Sequence, residues 1–238
     1  LNSPNLQYEL HSGANLISFV SEGSIDISEA LPDNVEYQIN GIISEGGATT
    51  QLYPGYWVGS MTKFNGGKGY WMLTSEAIFF SYDLNSLSRT VNSGLKGTIK
   101  FDEYQLEQSI EQAFYFIENI YLNETQITNQ DYVLTYYNDV LVGLRKWNGE
   151  FTDVPAMGYD GRPQTLNYSE YQSEIDIRIL QYETGKVFYI QNSIPNWENN
   201  GIFILDKLFA TEIPSEFKLA SPYPNPFNPV TTIKYAVP

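Results

Sequence analysis

The chain has 238 residues, with 13 Lys and Arg against 28 Asp and Glu, a single His and no Cys, for a formal net charge of -15. Without thiols it has no disulfide framework, no Cys-ligated zinc or iron–sulfur centre and no Cys nucleophile, and with His11 alone one chain cannot build a two-His metal site. The excess of carboxylates also argues against nucleic acid as a partner, because such binding draws on Lys and Arg to neutralise phosphates.

Short apolar runs with a period of two, bounded by Gly, Asn, Asp and Pro, dominate the chain, and sustained 3.6-residue periodicity is rare. In chain order, strands are expected at 15–20, 36–43, 56–61, 69–73, 77–82 and 97–101. A second series is expected at 112–120, 132–137, 140–147, 175–182, 186–191 and 201–209. One or two helical turns are expected over 24–31, capped by Ser24 or Asp26 and stopped by Pro32, while 103–109 reads as a short helix or a connector. Gly55-Tyr56-Trp57 and Gly69-Tyr70-Trp71 flank Asn65-Gly66-Gly67-Lys68, so 56–64 and 69–73 are expected to pair as a hairpin, with Trp57 and Trp71 packed in a core.

The apolar pattern breaks between 82 and 100, and the composition changes again near 213. The expected fold is all-β: two β-sandwich-like modules, 1–92 and 98–212, then 213–238 as a Pro-rich extended segment and one terminal strand. Pro222, Pro224, Pro226 and Pro229 stand within eight positions. Each fixes φ and removes a donor, so this stretch is not a central strand. No apolar run approaches the ~20 residues of a membrane-spanning helix. No basic-then-apolar leader opens the sequence, so a signal peptide is expected to have been removed or never present.

Asp153-Val154-Pro155-Ala156-Met157-Gly158-Tyr159-Asp160-Gly161 is the best local candidate for a site. Asp153 and Asp160 flank a Gly-containing turn and serve either as turn-forming residues or as hard oxygen ligands for calcium. Arg145 is a candidate ion-pair partner for one of them, which would make the segment a folding element. No catalytic residue is assigned: a carboxylate glycosidase needs two acids held ~5 to ~9.5 Å apart, and the sequence selects no pair. Tyr53, Tyr56, Tyr136, Tyr137, Trp147 and Trp197 are candidates either for stacking on sugars or for packing between strands.

The tail, Tyr223-Pro224-Asn225-Pro226-Phe227-Asn228-Pro229 followed by Val230-Thr231-Thr232-Ile233-Lys234-Tyr235-Ala236-Val237, resembles the opening of the immunoglobulin-like C-terminal sorting domain carried by cargo of the type IX secretion system. About 20 residues carry the match, and the sequence stops after what would be the first strand of that sandwich. Asn15-Leu16-Ile17-Ser18-Phe19, Trp57-Val58-Gly59-Ser60, Gln112-Ala113-Phe114-Tyr115-Phe116 and Val142-Gly143-Leu144-Arg145-Lys146-Trp147 resemble segments of modules that recur in secreted proteins with this tail. The resemblance implies a secreted, cell-surface protein recognised by the secretion machinery, and no assigned chemistry.

A lone strand over 230–237 leaves its backbone groups unpaired, so it is expected to be held by another element. Donation to a sheet edge of an identical subunit would give a head-to-tail filament, and folding back would close the second module. The expected function is therefore structural or adhesive and non-enzymatic, with glycan binding as the alternative.

Overall fold

Apolar residues alternating with polar ones give strands such as 13–18, 69–74 and 176–180 one inward face, and the computed structural model, which describes residues 6–88, 106–212, 218–223, 226, 230–233, 235 and 236, is all-β. The first half contains β1 (Tyr8–Leu10), β2 (Gly13–Ser18), β3 (Ser24–Asp26), α1 (Ile27–Ala30), α2 (Asp33–Glu36), β4 (Ile39–Ser44), β5 (Gly47–Tyr53), β6 (Tyr56–Gly59), β7 (Lys63–Asn65), β8 (Gly69–Thr74) and β9 (Ile78–Phe80). A five-stranded antiparallel sheet runs β2-β8-β4-β5-β6, and two-stranded ladders β1-β9 and β3-β7 accompany it. Phe19, Phe64, Tyr70, Phe80 and Tyr82 meet in this core at ring separations of 5.0 to 5.7 Å, edge-on or stacked. Such pairs add stability beyond their buried area.

Two local expectations change. Residues 24–26 form a strand against Lys63–Asn65, so only one helical turn follows, and Pro32, which ends it, also starts α2. The turn at Asn65 is present, with Lys68 N–H donating to the Asn65 carbonyl at 3.3 Å and Gly67 at φ +71. The strands beside it do not pair as a hairpin, however. β6 pairs with β5, and β8 lies between β2 and β4. The chain leaves the sheet at Gly59, where φ is +117 and an added Cβ would meet the Ala48 carbonyl and the Phe116 ring.

The second half contains β10 (Gln112–Leu122), β11 (Thr125–Gln126), β12 (Tyr132–Tyr137), β13 (Val140–Lys146), β14 (Thr152–Met157), a 3-10 turn at Pro163–Thr165, β15 (Asp176–Leu180), β16 (Val187–Ile190) and β17 (Ile202–Thr211). The order is β11-β10-β17-β16-β15-β12-β13, with β14 also paired to β10. Two-residue turns with positive φ, Asn123-Glu124 and Asn138-Asp139, join β10 to β11 and β12 to β13, as the right-handed twist of a hairpin favours. The sheet curls until β13 lies against β14. There Gly143 leaves the space in which Thr135 Oγ1 donates to the Pro155 carbonyl at 2.7 Å.

β10 is buried on both faces, and its alternation divides the interior. Ala113, Tyr115 and Ile117 enter the core of the second half. Phe114 and Phe116 point the other way, onto Ile43 and Ala48 of the first half, with Val58, Trp71, Leu73 and Ile202 around them. The two sets of sheets thus share a buried apolar contact.

In the tail, β18 (Lys218–Leu219) pairs antiparallel with β19 (Tyr235–Ala236), and Tyr223 and Thr232 exchange backbone hydrogen bonds of 3.1 and 2.9 Å. Among the described residues the tail strand is therefore not alone: Tyr235–Ala236 pairs with the segment immediately before the Pro-rich stretch. The expected strand at 97–101 and residues 103–105 lie outside the described residues.

Candidate functional site

The segment singled out from the sequence divides into two unrelated environments. Asp153 lies within β14, opposite Phe116 of β10, and its side chain is 2% exposed. Its Oδ1 accepts the Ser60 N–H at 2.8 Å. Its Oδ2 accepts the Ala48 N–H at 3.0 Å, the Ser60 hydroxyl at 2.7 Å and Arg145 Nη2 at 3.0 Å. Arg145 also donates from Nε to the Asp153 carbonyl at 2.7 Å and from Nη2 to the Gly46 carbonyl at 2.9 Å. Burial pushes the carboxyl up from the usual Asp range, while Arg145, the Ser60 hydroxyl and the Ala48 amide pull it down. This is the ion pair expected of Arg145, and it ties the second half to β5 and to the end of β6.

Asp160 lies beyond the strand, in a loop where Gly161 has φ +87. Its Oδ2 accepts Arg162 through Nε at 2.8 Å and Nη2 at 2.6 Å, and the Ile110 N–H at 3.4 Å. Its Oδ1 accepts the Thr165 hydroxyl at 2.6 Å and the Arg162 N–H at 3.2 Å. Arg162 in turn donates from Nη2 to the Gln108 carbonyl. The Arg162 side chain, aided by Thr165 and the backbone amides against the desolvation of the site, holds the Asp160 carboxyl well below the usual range. Glu111 nearby is raised, first by burial and then by the Asp160 charge. Among the described residues, no group of three or more His, Asp or Glu is arranged to hold a metal ion. The oxygens of both calcium candidates are already engaged by donors that a cation would have to displace.

The six candidate aromatic residues separate by position. Trp147 and Trp197 are buried in the second core, where Trp197 Nε1 donates to the Ala156 carbonyl at 2.9 Å, so neither is a surface platform. Tyr136 carries the Arg178 guanidinium 4.0 Å above its ring, and Tyr137 packs against the core. Tyr53 and Tyr56 are exposed and stack at 4.8 Å with an interplanar angle of 8°. Trp57 and Trp71 pack against buried clusters as expected, and Trp57 Nε1 donates to Glu36 Oε1 at 2.6 Å.

Of the sorting motif, Tyr223 and Pro226 are described, both exposed, while Pro224, Asn225, Phe227, Asn228 and Pro229 lie outside the described residues, as do Lys234 and Val237. Leu219, Tyr223, Val230 and Ile233 of the tail are all exposed. Sequence reasoning missed Tyr37, Asn40, Glu198 and Asn200, which line a groove with Tyr53. They come from loops and strand ends far apart in the chain, and no local pattern announces their meeting.

No family model, curated protein or solved structure matches the chain. Fold and site together define a class rather than a family: an all-β protein whose antiparallel first-half sheet and mixed second-half sheet, in which β10 and β17 run parallel, are joined by an Asp–Arg node. No helix among the described residues is long and apolar enough to cross a membrane.

Proposed function

We propose that this is a secreted, cell-surface β protein with a structural or adhesive role, exported by the type IX route and not an enzyme. The observation that carries the reading is the tail. Its Tyr-Pro-Asn-Pro-Phe-Asn-Pro stretch resembles a sorting-domain opening, and it stands in the chain between two short paired strands whose neighbours Leu219, Tyr223, Val230 and Ile233 are exposed. A two-stranded ladder is marginal in water by itself, and among the described residues no further strand pairs with either of its edges. Addition of that ladder to a sheet edge of an identical subunit is heterologous, and its repetition gives an open head-to-tail assembly. Subunits of charge -15 repel one another, so added salt or calcium favours the assembly.

The test is to delete residues 218–236 from the full chain in its native host and follow the protein by cell fractionation and electron microscopy. The expected result is retention inside the cell and loss of filaments from the surface. Export unchanged by the deletion overturns the sorting role, and a strictly monomeric exported parent overturns the polymer.

A further inference from the structure

We infer that the groove between the two halves binds a neutral oligosaccharide, with Tyr37 and Tyr53 as stacking platforms and Asn40, Glu198 and Asn200 as hydroxyl partners. The groove has a volume of about 560 Å³. This lies within the range of about 300–1,000 Å³ usual for small-ligand sites. One wall comes from the first half and the other from residues 198–204.

Tyr37 and Tyr53 are 58% and 61% exposed, so the protein's own packing leaves these rings uncovered. Tyr53 is nevertheless fixed in orientation by the stack with Tyr56. The turn that carries both rings is held from beneath by Gln51. Its Nε2 donates to the Glu36 and Ile39 carbonyls at 2.7 and 2.8 Å, and its Oε1 accepts the Gly55 N–H at 2.7 Å. A rigid, amphipathic ring costs little conformational entropy when a ligand covers it. The flat, CH-rich face of a pyranose matches such a ring, and its rim of hydroxyls needs donors and acceptors at the sides.

The opposite wall supplies those groups. Asn200 lines the groove in a left-handed conformation, φ +58, and its Oδ1 is buried with no protein partner. A buried acceptor without a donor is costly, and with the Asn200 side chain turned toward the groove a ligand hydroxyl would satisfy it. Glu198 is exposed on the same wall and Asn40 on the facing one, while Ile202 and Ile204 present apolar surface. No Lys or Arg is among the lining residues, and the chain as a whole is acidic. Uronates, sulfated glycans and phosphates are therefore disfavoured by charge relative to neutral sugars. A Tyr-lined groove is also a known way to dock Pro-rich peptides. The polar side chains of Asn40, Glu198 and Asn200 along the groove favour a ligand rich in hydroxyl donors over one poor in donors. The inference holds whatever the export route.

Titration calorimetry of the full chain tests it, with cellohexaose, xylohexaose, mannohexaose and chitohexaose as neutral probes, a galacturonate oligomer as anionic probe and a synthetic peptide of residues 219–230. At least one neutral hexasaccharide is expected to bind with Kd below about 1 mM. Tyr53→Ala and Tyr37→Ala should each weaken it about tenfold or more, Asn200→Ala should weaken it less, and Tyr53→Phe should retain it. Tyr171→Ala, at an exposed ring outside the groove, should change nothing. Absence of binding by all four neutral probes, equal binding of the galacturonate, indifference to Tyr53→Ala, or occupation by the peptide alone would each overturn the assignment.

Discussion

Arg145 and Asp153 meet twice, through Nε to the backbone carbonyl at 2.7 Å and through Nη2 to the carboxylate at 3.0 Å. One contact fastens β13 to β14, and the other completes an acceptor that β5 and the end of β6 also use. A single side chain thereby couples the curl of the second sheet to the junction with the first half.

Asp153→Ala leaves the half-buried Arg145 guanidinium without its carboxylate and strands the Ala48 and Ser60 amides. Removing one partner of a buried ion pair costs about 3–5 kcal/mol. Urea unfolding followed by Trp fluorescence should show a loss of that order. Because the lost bonds cross between the halves, the transition should also broaden or separate into two. Asp153→Asn retains the volume but turns an NH2 toward donors, so it too should destabilise.

Phe116→Ala tests the apolar part of the same junction. The ring is fully buried between β10 and the first half. Its deletion leaves a cavity, for a cost of about 3–5 kcal/mol. Phe79→Ala, at a ring 58% exposed, is the control and should change stability by no more than about 0.5 kcal/mol. Equal effects of the two substitutions in the unfolding curves would contradict a shared core.

Gly143→Ala places a methyl against the Pro155 carbonyl and the Thr135 hydroxyl, neither of which can retreat without breaking its own bond. Overpacking of this kind costs about 1–3 kcal/mol, and backbone contact puts this site at the upper end. Gly149→Ala separates crowding from backbone strain, since Gly149 has φ +92 but open space around it. Thermal midpoints should fall further for Gly143→Ala.

Legibility in the sequence followed burial. Tyr132–Tyr137 is found with the bounds expected, most other strands fall within a few residues of theirs, and one wet face and one dry face leave a period of two in Gly13–Ser18, Gly69–Thr74 and Asp176–Leu180. β5 and β14 went unread. Residues 47–50 and all of Thr152–Met157 are buried on both sides, so alternation vanishes, and Pro155 argues against a strand. For the same reason Asp153 resembled a turn residue. What identifies it as a junction is its set of partners at positions 48, 60 and 145, and such distances in sequence are invisible to local pattern. The exposure of Tyr53 against the burial of Trp197 was likewise settled by tertiary packing, since each stands within two residues of a Pro and nothing local separates a surface ring from a buried one.

Asp160 should give the fold an acid limit. Arg162 holds its folded-state carboxyl well below the ordinary value of about 3.9, so in acid the unfolded chain takes up a proton that the folded chain resists. The stabilisation is therefore complete above about pH 4 and is lost as pH falls toward the folded-state value. Asp160→Asn should lower the thermal midpoint at pH 7, with the gap to the parent closing between about pH 4 and pH 2. Glu111 acts in the opposite sense, because burial and the Asp160 charge raise its folded-state value, so its contribution favours the fold in acid and is lost as pH rises. Repeating the titration in a Glu111→Gln background removes that opposing slope. A gap between the parent and the Asp160→Asn variant that stays constant down to about pH 2 would show that the loop is held by the neutral hydrogen bonds to Thr165 and the backbone rather than by the charge on Arg162.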